Sequence, residues 1–380
     1  VLIIGHLDVV EAKREDWTMD PFKFIEKDGY FYGRGTQDMK NSDAVAVAAL
    51  LRMKKEGFVP DRDIILALTA GEESGLDNGV EWLLQSHRDL IDAEFAINPD
   101  SGGLDADAGK PVAFNVDATE KLYADFELES TDAGGHSSLP KAENPIYDVS
   151  NALVKLSHAS FPFELNTVTR GWLEHMRAIE DGARAKDIQG ALATPPDLDA
   201  VARLSRDPRY NSSLHTTCVA TRLDGGHANN ALPQRATAIV NCRILPGHSS
   251  EEVRQDLIRI FAEPKLTVRY LDPATDKRLD VGSDRKALPP PPPRKDVFDA
   301  LNAVAGRMWP GIPIVTEMTP GASDSIYTMA AGIPTYGFNG TAIDRDDVRM
   351  HGRDERLRVK SFDDSAEFYY RYLKALTGGK

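Results

Sequence analysis

Ile64-Ile65-Leu66-Ala67-Leu68-Thr69-Ala70-Gly71-Glu72-Glu73-Ser74-Gly75 is an unbroken apolar run that ends, just past a glycine, in two adjacent carboxylates. A continuous run of aliphatic residues suits a strand buried on both faces of a parallel sheet, because neither face then meets water. The carboxylates fall just beyond the strand end, where neighbouring side chains point different ways. Such a pair can divide its work, one carboxylate holding a metal ion while the other faces a water molecule beside it. Taken alone, Glu72-Glu73 reads more simply as a solvated acidic loop, so the rest of the chain has to decide.

Working outward, Val1 to Ile4 is a second apolar run, closed by Gly5-His6-Leu7-Asp8-Val9-Val10. The His-x-Asp spacing puts an imidazole and a carboxylate on the same side of an extended chain. Asp8 can then hold the His6 ring and fix its tautomer, as carboxylates behind metal-bound histidines do. Gly33-Arg34-Gly35-Thr36-Gln37-Asp38-Met39-Lys40-Asn41 turns sharply and delivers Asp38 ahead of a helix expected from Ala44 to Lys55, with Ser42 as N-cap. Asp38 is either a helix-capping aspartate or a carboxylate able to bridge two cations, one on each oxygen. Glu94 to Asn98 forms a short strand that runs into Asn98-Pro99-Asp100. Strands therefore alternate with helices, and His6, Glu72, Glu73 and Asp100 each follow a strand's carboxyl end, the edge where open α/β sheets bind ligands.

From about Thr119 the pattern changes to the apolar/polar alternation of a half-exposed antiparallel strand, Lys121 to Ser130. Gly134-Gly135-His136-Ser137-Ser138 is a turn carrying one histidine, and a helix is expected from Pro145 to His158. Glu164 to Tyr210 reads as an insertion, helical in pieces. Thr216 to Leu223 and Arg235 to Leu245 continue the sheet, and Glu251 to Phe261 is an amphipathic helix capped by Ser249 or Ser250. Five prolines, Pro289 to Pro293, form a stiff spacer. Beyond them helix and strand alternate again and the first domain resumes, with Gly321-Ala322-Ser323-Asp324 opening a helix and His351-Gly352-Arg353-Asp354-Glu355 in a loop. The expected organisation is thus 1–117 and 289–380 as one α/β domain with a mixed, mostly parallel sheet, and 118–288 as an inserted α+β domain. Because Val1 opens inside a strand, the natural N-terminal segment is expected to lie upstream, and targeting cannot be read from this start.

The 380 residues carry 45 Lys and Arg against 59 Asp and Glu, a net charge of -14 spread along the chain. The absence of a basic stripe excludes nucleic acid as the expected partner. No apolar run approaches the ~20 residues a membrane span needs. For the compartment, cytoplasm is the first expectation, with periplasm or secretion left standing. The two cysteines, Cys218 and Cys242, form neither a disulfide framework nor a zinc site and are expected as two core thiols, a single bridge being the other option.

His6-x-Asp8, Gly33 to Lys40, Gly71-Glu72-Glu73-Ser74-Gly75, Asp100, and His351 with Asp354-Glu355 occur in the order that resembles the M20 family of two-zinc metallopeptidases. The resemblance covers essentially the whole chain and is strongest to the carboxypeptidase S and N-acyl-amino-acid hydrolase branch. It implies a zinc-peptidase-like catalytic domain with an inserted lid and dimerisation domain. It further implies two Zn2+ per subunit, for which Co2+ or Mn2+ can substitute: His6 and Asp100 on one ion, Glu73 and His351 on the other, Asp38 between them. Glu72 resembles the family's general base, Asp8 its orienter of His6, and His136 the lid histidine that reaches a partner subunit's site in a homodimer. Asn230, Arg243 and the glycine-rich loop from Gly321 to Asp324, with Gly321, Ala322 and Ser323 in it, match substrate-holding positions. The implied activity is hydrolysis of an amide bond beside a free carboxylate, in a small peptide or N-acyl amino acid, as by a carboxypeptidase, dipeptidase or aminoacylase. The alternative is an inactive M20-like binding or regulatory protein. A serine hydrolase is disfavoured by the lack of a Gly-x-Ser-x-Gly elbow. One departure from the family is Asn41, where glycine is usual; asparagine tolerates left-handed backbone angles, so the turn is expected to survive.

Overall fold

The computed structural model describes residues 1–74, 77–273 and 275–378; Gly75, which ends the Glu72-Glu73 motif, lies outside them. The chain forms two compact units, one from Val1–Thr119, Pro290–Thr319 and Ser323–Lys380, the other from Glu120–Pro289 with Pro320–Ala322.

The first unit is built on a mixed eight-stranded sheet in which the Leu2–His6 strand lies one in from the end formed by Ile65–Thr69. That strand pairs in parallel with Ile65–Thr69 on one side and with Ala96–Asn98 on the other. Thr335–Gly337 continues the parallel run beside Ala96–Asn98, and antiparallel pairs begin where Lys110–Glu120 joins. Alternate residues of the opening run feed different apolar clusters. Val1 and Ile3 pack with Val45, Ala49, Leu301 and Leu373, whereas Leu2 and Ile4 pack with Ala67, Ile91 and Ile333. The strand is therefore covered on both faces, which is why it reads as a continuous apolar run. Each such side chain contributes roughly 1.5–3 kcal/mol by leaving water.

The Lys40–Lys55 helix starts earlier than Ser42 because the loop before it is already folded against the sheet. Met39 takes the cap position without a side-chain bond, and its carbonyl accepts from the amides of both Ser42 and Asp43. Ser42 is buried in the first turn and is not the N-cap. Asn41 is helical and needs no left-handed angle; its Nδ2 donates to Thr341 Oγ1 at 3.2 Å.

The second unit is a five-stranded antiparallel sheet in the order Thr217–Gly225, Arg235–Ile244, Leu122–Thr131, Thr267–Asp272, Lys277–Leu279. Ala124, Phe126 and Leu128 are buried on the face covered by the Pro145–His158 and Ser250–Phe261 helices. The Ser249 side chain and Glu252 form a reciprocal capping box at the start of the second. The Glu164 to Tyr210 stretch resolves into helices Thr167–Ile179, Gly182–Ala191 and Leu198–Leu204 and the start of Pro208–Leu214. Three of these four begin at side-chain caps, Asn166, Asp197 and Asp207, and the rings of Trp172 and Tyr210 meet at 5.1 Å in their small core.

The expectation of two core thiols is overturned. Cys218 and Cys242 stand directly opposite each other on neighbouring antiparallel strands and are joined as a disulfide. Cross-strand register brings together what a separation of 24 residues in the sequence leaves open. Among the described residues no helix is long and apolar enough to cross a membrane.

Candidate active site

His6 closes its strand in register with Thr69 of the parallel neighbour, and Ala96–Asn98 lies on its other side. Segments leaving these three strands emerge at one sheet edge, bringing His6, the Glu72-Glu73 turn and Asp100 together. Asp38 arrives from the loop ahead of the Lys40–Lys55 helix, and His351 from the loop ahead of the Arg356–Arg358 strand.

Asp38 turns one oxygen to each histidine. Its Oδ1 lies 3.2 Å from His6 Nε2, and its Oδ2 lies 2.9 Å from His351 Nε2. His6 Nε2 also lies 3.5 Å from Asp100 Oδ1 and 3.9 Å from Glu72 Oε2, while His351 Nε2 lies 3.1 Å from Glu73 Oε2. Adjacent Glu72 and Glu73 therefore face different histidines, as expected of neighbours past a strand end. Among the described residues His6 Nε2 and Asp38 Oδ1 are buried without a hydrogen-bond partner, an arrangement that calls for another species to join them. A divalent cation fits. The donors are imidazole nitrogen and carboxylate oxygen without sulfur, and His6, Asp38 and Glu73 offer ligand atoms all within 4.8 Å of one another.

Electrostatics point the same way. Burial opposes a charge on His6, yet the carboxylates of Asp100 and Asp38 prevail and raise its pKa to about 12. Asp38 and Glu73 raise that of His351 to about 10. Burial would raise Asp38, but His351 and His6 hold it well below the usual carboxylate range. Glu72 is pushed up to about 9 by burial and then by the Asp100 carboxylate, and burial raises Asp100 as well. So many buried carboxylates require positive charge, which protons on the two imidazoles or a cation in their place can supply.

Asp8 meets His6 chiefly through its main chain: Nδ1 of the ring is 3.1 Å from the Asp8 carbonyl oxygen and 3.6 Å from Oδ1 of its carboxylate. The other carboxylate oxygen accepts from the Glu73 amide at 3.2 Å, so Asp8 also links the two motifs. Behind Asp100, Asn98 Oδ1 accepts from the Asp100 amide, and its Nδ2 donates to Ser323 Oγ and Ser325 Oγ. Sequence reasoning gave no role to Asn98 and counted Asp324 only as the end of the Gly321 to Asp324 loop, although Asp324 is buried, accepts from Asn78 Nδ2 at 2.6 Å, and is raised by that burial to about 6. It also gave none to Arg34 or Glu355, although both lie inside quoted motifs. Their partners are largely main-chain groups, which leave no mark in residue spacing.

His136, Asn230 and Arg243 belong to the second unit, as do Gly321 and Ala322, while Ser323 belongs to the first. His136 is exposed on the short Gly135–His136 strand, paired with Ala231, so Asn230 lies beside it; its Nδ1 meets Ser138 Oγ at 2.8 Å. Arg243 is half-buried and lies 4.7 Å from the centre of the Tyr123 ring.

A parallel strand edge that gathers two histidines and four carboxylates, three of them with ligand atoms within 4.8 Å of one another, is the setting of a metal-dependent hydrolase. The profile of the Peptidase family M20/M25/M40 matches residues 2–375, and the chain belongs to that family of metallopeptidases and amidohydrolases. The probable carboxypeptidase S-like 2 of Dictyostelium discoideum is 26% identical over 401 residues, covering 98% of this chain and 71% of that protein. The N-fatty-acyl-amino acid synthase/hydrolase of Homo sapiens is 28% identical over 384 residues, covering 98% and 73%. In fold, the chain resembles the metallo-carboxypeptidase Sso-CP2 from Sulfolobus solfataricus, with a TM-score of 0.72 at 16% identity over 99% of this chain and 84% of that one.

Proposed function

We propose that this hydrolase uses two zinc ions to cleave an amide bond beside a free carboxylate, as a carboxypeptidase, dipeptidase or N-acyl-amino-acid amidohydrolase. The observation that carries the reading is Asp38, with one oxygen toward each histidine. In this reading His6 and Asp100 hold one ion, Glu73 and His351 the other, and Asp38 bridges, with cobalt or manganese able to substitute. A divalent pair bound there supplies Lewis acidity, making water more acidic and polarising a carbonyl.

Glu72 takes the proton of the attacking water and hands it to the leaving nitrogen. Its carboxyl, at about 9 in the metal-free cluster, holds a proton firmly, and added positive charge nearby moves it down toward neutrality, where both transfers run. Asp8 keeps the His6 ring in place. Residues 118–288 act as a lid and dimerisation domain, from which His136 stabilises the oxyanion in the partner subunit of a homodimer. Arg243 offers a fork to the substrate carboxylate, helped by Asn230 and the Gly321, Ala322, Ser323 loop. The names of the two relatives, carboxypeptidase S-like and N-fatty-acyl-amino acid synthase/hydrolase, support this substrate class.

The test is a panel of dipeptides, N-acetyl and N-fatty-acyl amino acids offered to zinc-loaded protein. Glu72→Gln is expected to keep both metals and to lose turnover by about a hundred- to ten-thousand-fold. Unchanged turnover would remove its role as base. A protein with no affinity for zinc would favour the non-catalytic binder instead.

A further inference from the structure

The geometry points to Glu355 and Arg34 as positioning residues: a buried ion pair that clamps the Asp38 loop to the His351 loop and thereby sets the affinity of the Glu73–His351 metal position. The inference rests on the two-metal reading above.

Glu355 has no exposed surface. Its Oε1 accepts from the main-chain amides of Gly35 at 3.1 Å, Gln37 at 2.7 Å and Asp38 at 3.2 Å. Its Oε2 accepts from Arg34 Nη1 at 2.6 Å. The second arm of the same guanidinium donates to the main-chain oxygen of His351 at 3.3 Å. Glu355 therefore gathers the amides of one loop, including that of the bridging aspartate, while Arg34 holds the other loop at the residue that carries the imidazole. The main chain closes the clamp, since the Gly33 amide donates to the Glu355 carbonyl at 3.1 Å.

Two features say that the His351 loop needs holding. The His351 side chain is 55% exposed, so packing does not fix its ring, and the position of Nε2 follows from its backbone. That backbone is strained: His351 has φ 61° and Asp354 φ 50°, left-handed angles that are unfavourable for residues other than glycine. His6, by contrast, is buried at a strand end, with Asp100 following the neighbouring strand. Both positions share Asp38, but only the Glu73–His351 position also takes a ligand from the clamped His351 loop, whereas the His6–Asp100 position takes its other two from a strand end and the turn just past its neighbour.

The experiment is zinc titration against a chelator of known affinity, with melting of the metal-free protein measured alongside, for wild type, Glu355→Gln and Arg34→Lys. Glu355→Gln is expected to weaken one of the two ions ~10- to 100-fold while moving the other less than about threefold. Arg34→Lys keeps a cation opposite the carboxylate but gives up the fork, and is expected to fall between; it also serves if Glu355→Gln does not fold. Unchanged affinities overturn the inference. So does equal weakening of both ions in step with a lower melting temperature, the mark of a merely structural pair. A wild type that takes up one ion refutes the two-metal reading by itself, and the clamp is then judged on that ion: about tenfold weakening upholds it and no change overturns it.

Discussion

Nε2 of His351 lies 2.9 Å from Oδ2 of Asp38, although 313 residues separate them. In the metal-free protein this contact is an ion pair, since His351 is raised to about 10 and Asp38 is held low. A cation that takes both atoms has to displace the imidazole proton, and at the other end that of His6, raised to about 12. Zinc affinity is therefore expected to climb between about pH 6 and about pH 8, with on the order of two protons released. Calorimetry in two buffers of different ionisation enthalpy counts them. An affinity that ignores pH, with no proton release, would take the two imidazoles out of the ligand set. In the absence of metal the sign for stability is opposite. Both histidines contribute fully below the ordinary value of about 6.5, and the contribution drains as pH rises through their folded values.

Asp43 lies against Gly5. A Cβ built on Gly5 would collide with Asp43 Oδ1 and press on Met39 Cε at 3.2 Å and Leu68 Cδ2 at 3.3 Å. Among the described residues both Asp43 oxygens are buried without a partner, and burial raises the carboxyl to about 7. A folded value above the unfolded one penalises the charged form. The penalty is absent below about pH 4, grows with pH, and is complete near pH 7, at up to about 4 kcal/mol. Asp43→Asn is thus expected to stabilise the metal-free protein near pH 8 and to do little near pH 4. Gly5→Ala should cost about 1–3 kcal/mol by overpacking, and less when Asp43 is alanine. Urea denaturation of the four-variant cycle reads the coupling, and simple additivity would remove the contact.

The sequence was legible where burial imposes a period. The Val1 to Ile4 run is readable because alternate residues enter two different cores; the separate helices of the Glu164 to Tyr210 insertion were not read, although three of them begin at the side-chain caps Asn166, Asp197 and Asp207. His6, Asp38, Glu72, Glu73, Asp100 and His351 stood out as polar groups just past strands or beside glycine turns. What stayed hidden depends on partners that have no spacing. Glu355 bonds to amides, Asp43 rests on a missing side chain, and Cys218 finds Cys242 only through strand register. Ser42 misled because a serine before an apolar helix looks like a cap, although the loop through Met39 had already begun the helix.

Lys121 gives the last prediction. It is fully buried, and its Nζ donates to the His215 carbonyl at 2.6 Å and lies 3.5 Å from Thr217 Oγ1. Burial, and then the Arg243 charge, lower its pKa to about 7. The folded value lies below the unfolded one, so between about pH 7 and about pH 10.5 the unfolded chain binds the extra proton and stability rises with pH. The cost of burying the ammonium is full below about pH 7, at up to about 5 kcal/mol, and vanishes toward about pH 10.5. Lys121→Met removes that cost but also the bond to the His215 carbonyl, which is worth about 1–3 kcal/mol when left unmade. The larger effect wins at neutral pH, where the variant is expected to be more stable than wild type by about 2–4 kcal/mol. Toward about pH 10.5 the burial cost is nearly gone, the lost bond dominates and the order reverses. Urea denaturation at both pH values checks the crossing. A variant less stable by the same amount at both would mean that the buried amine keeps its ordinary value in the fold and stays charged.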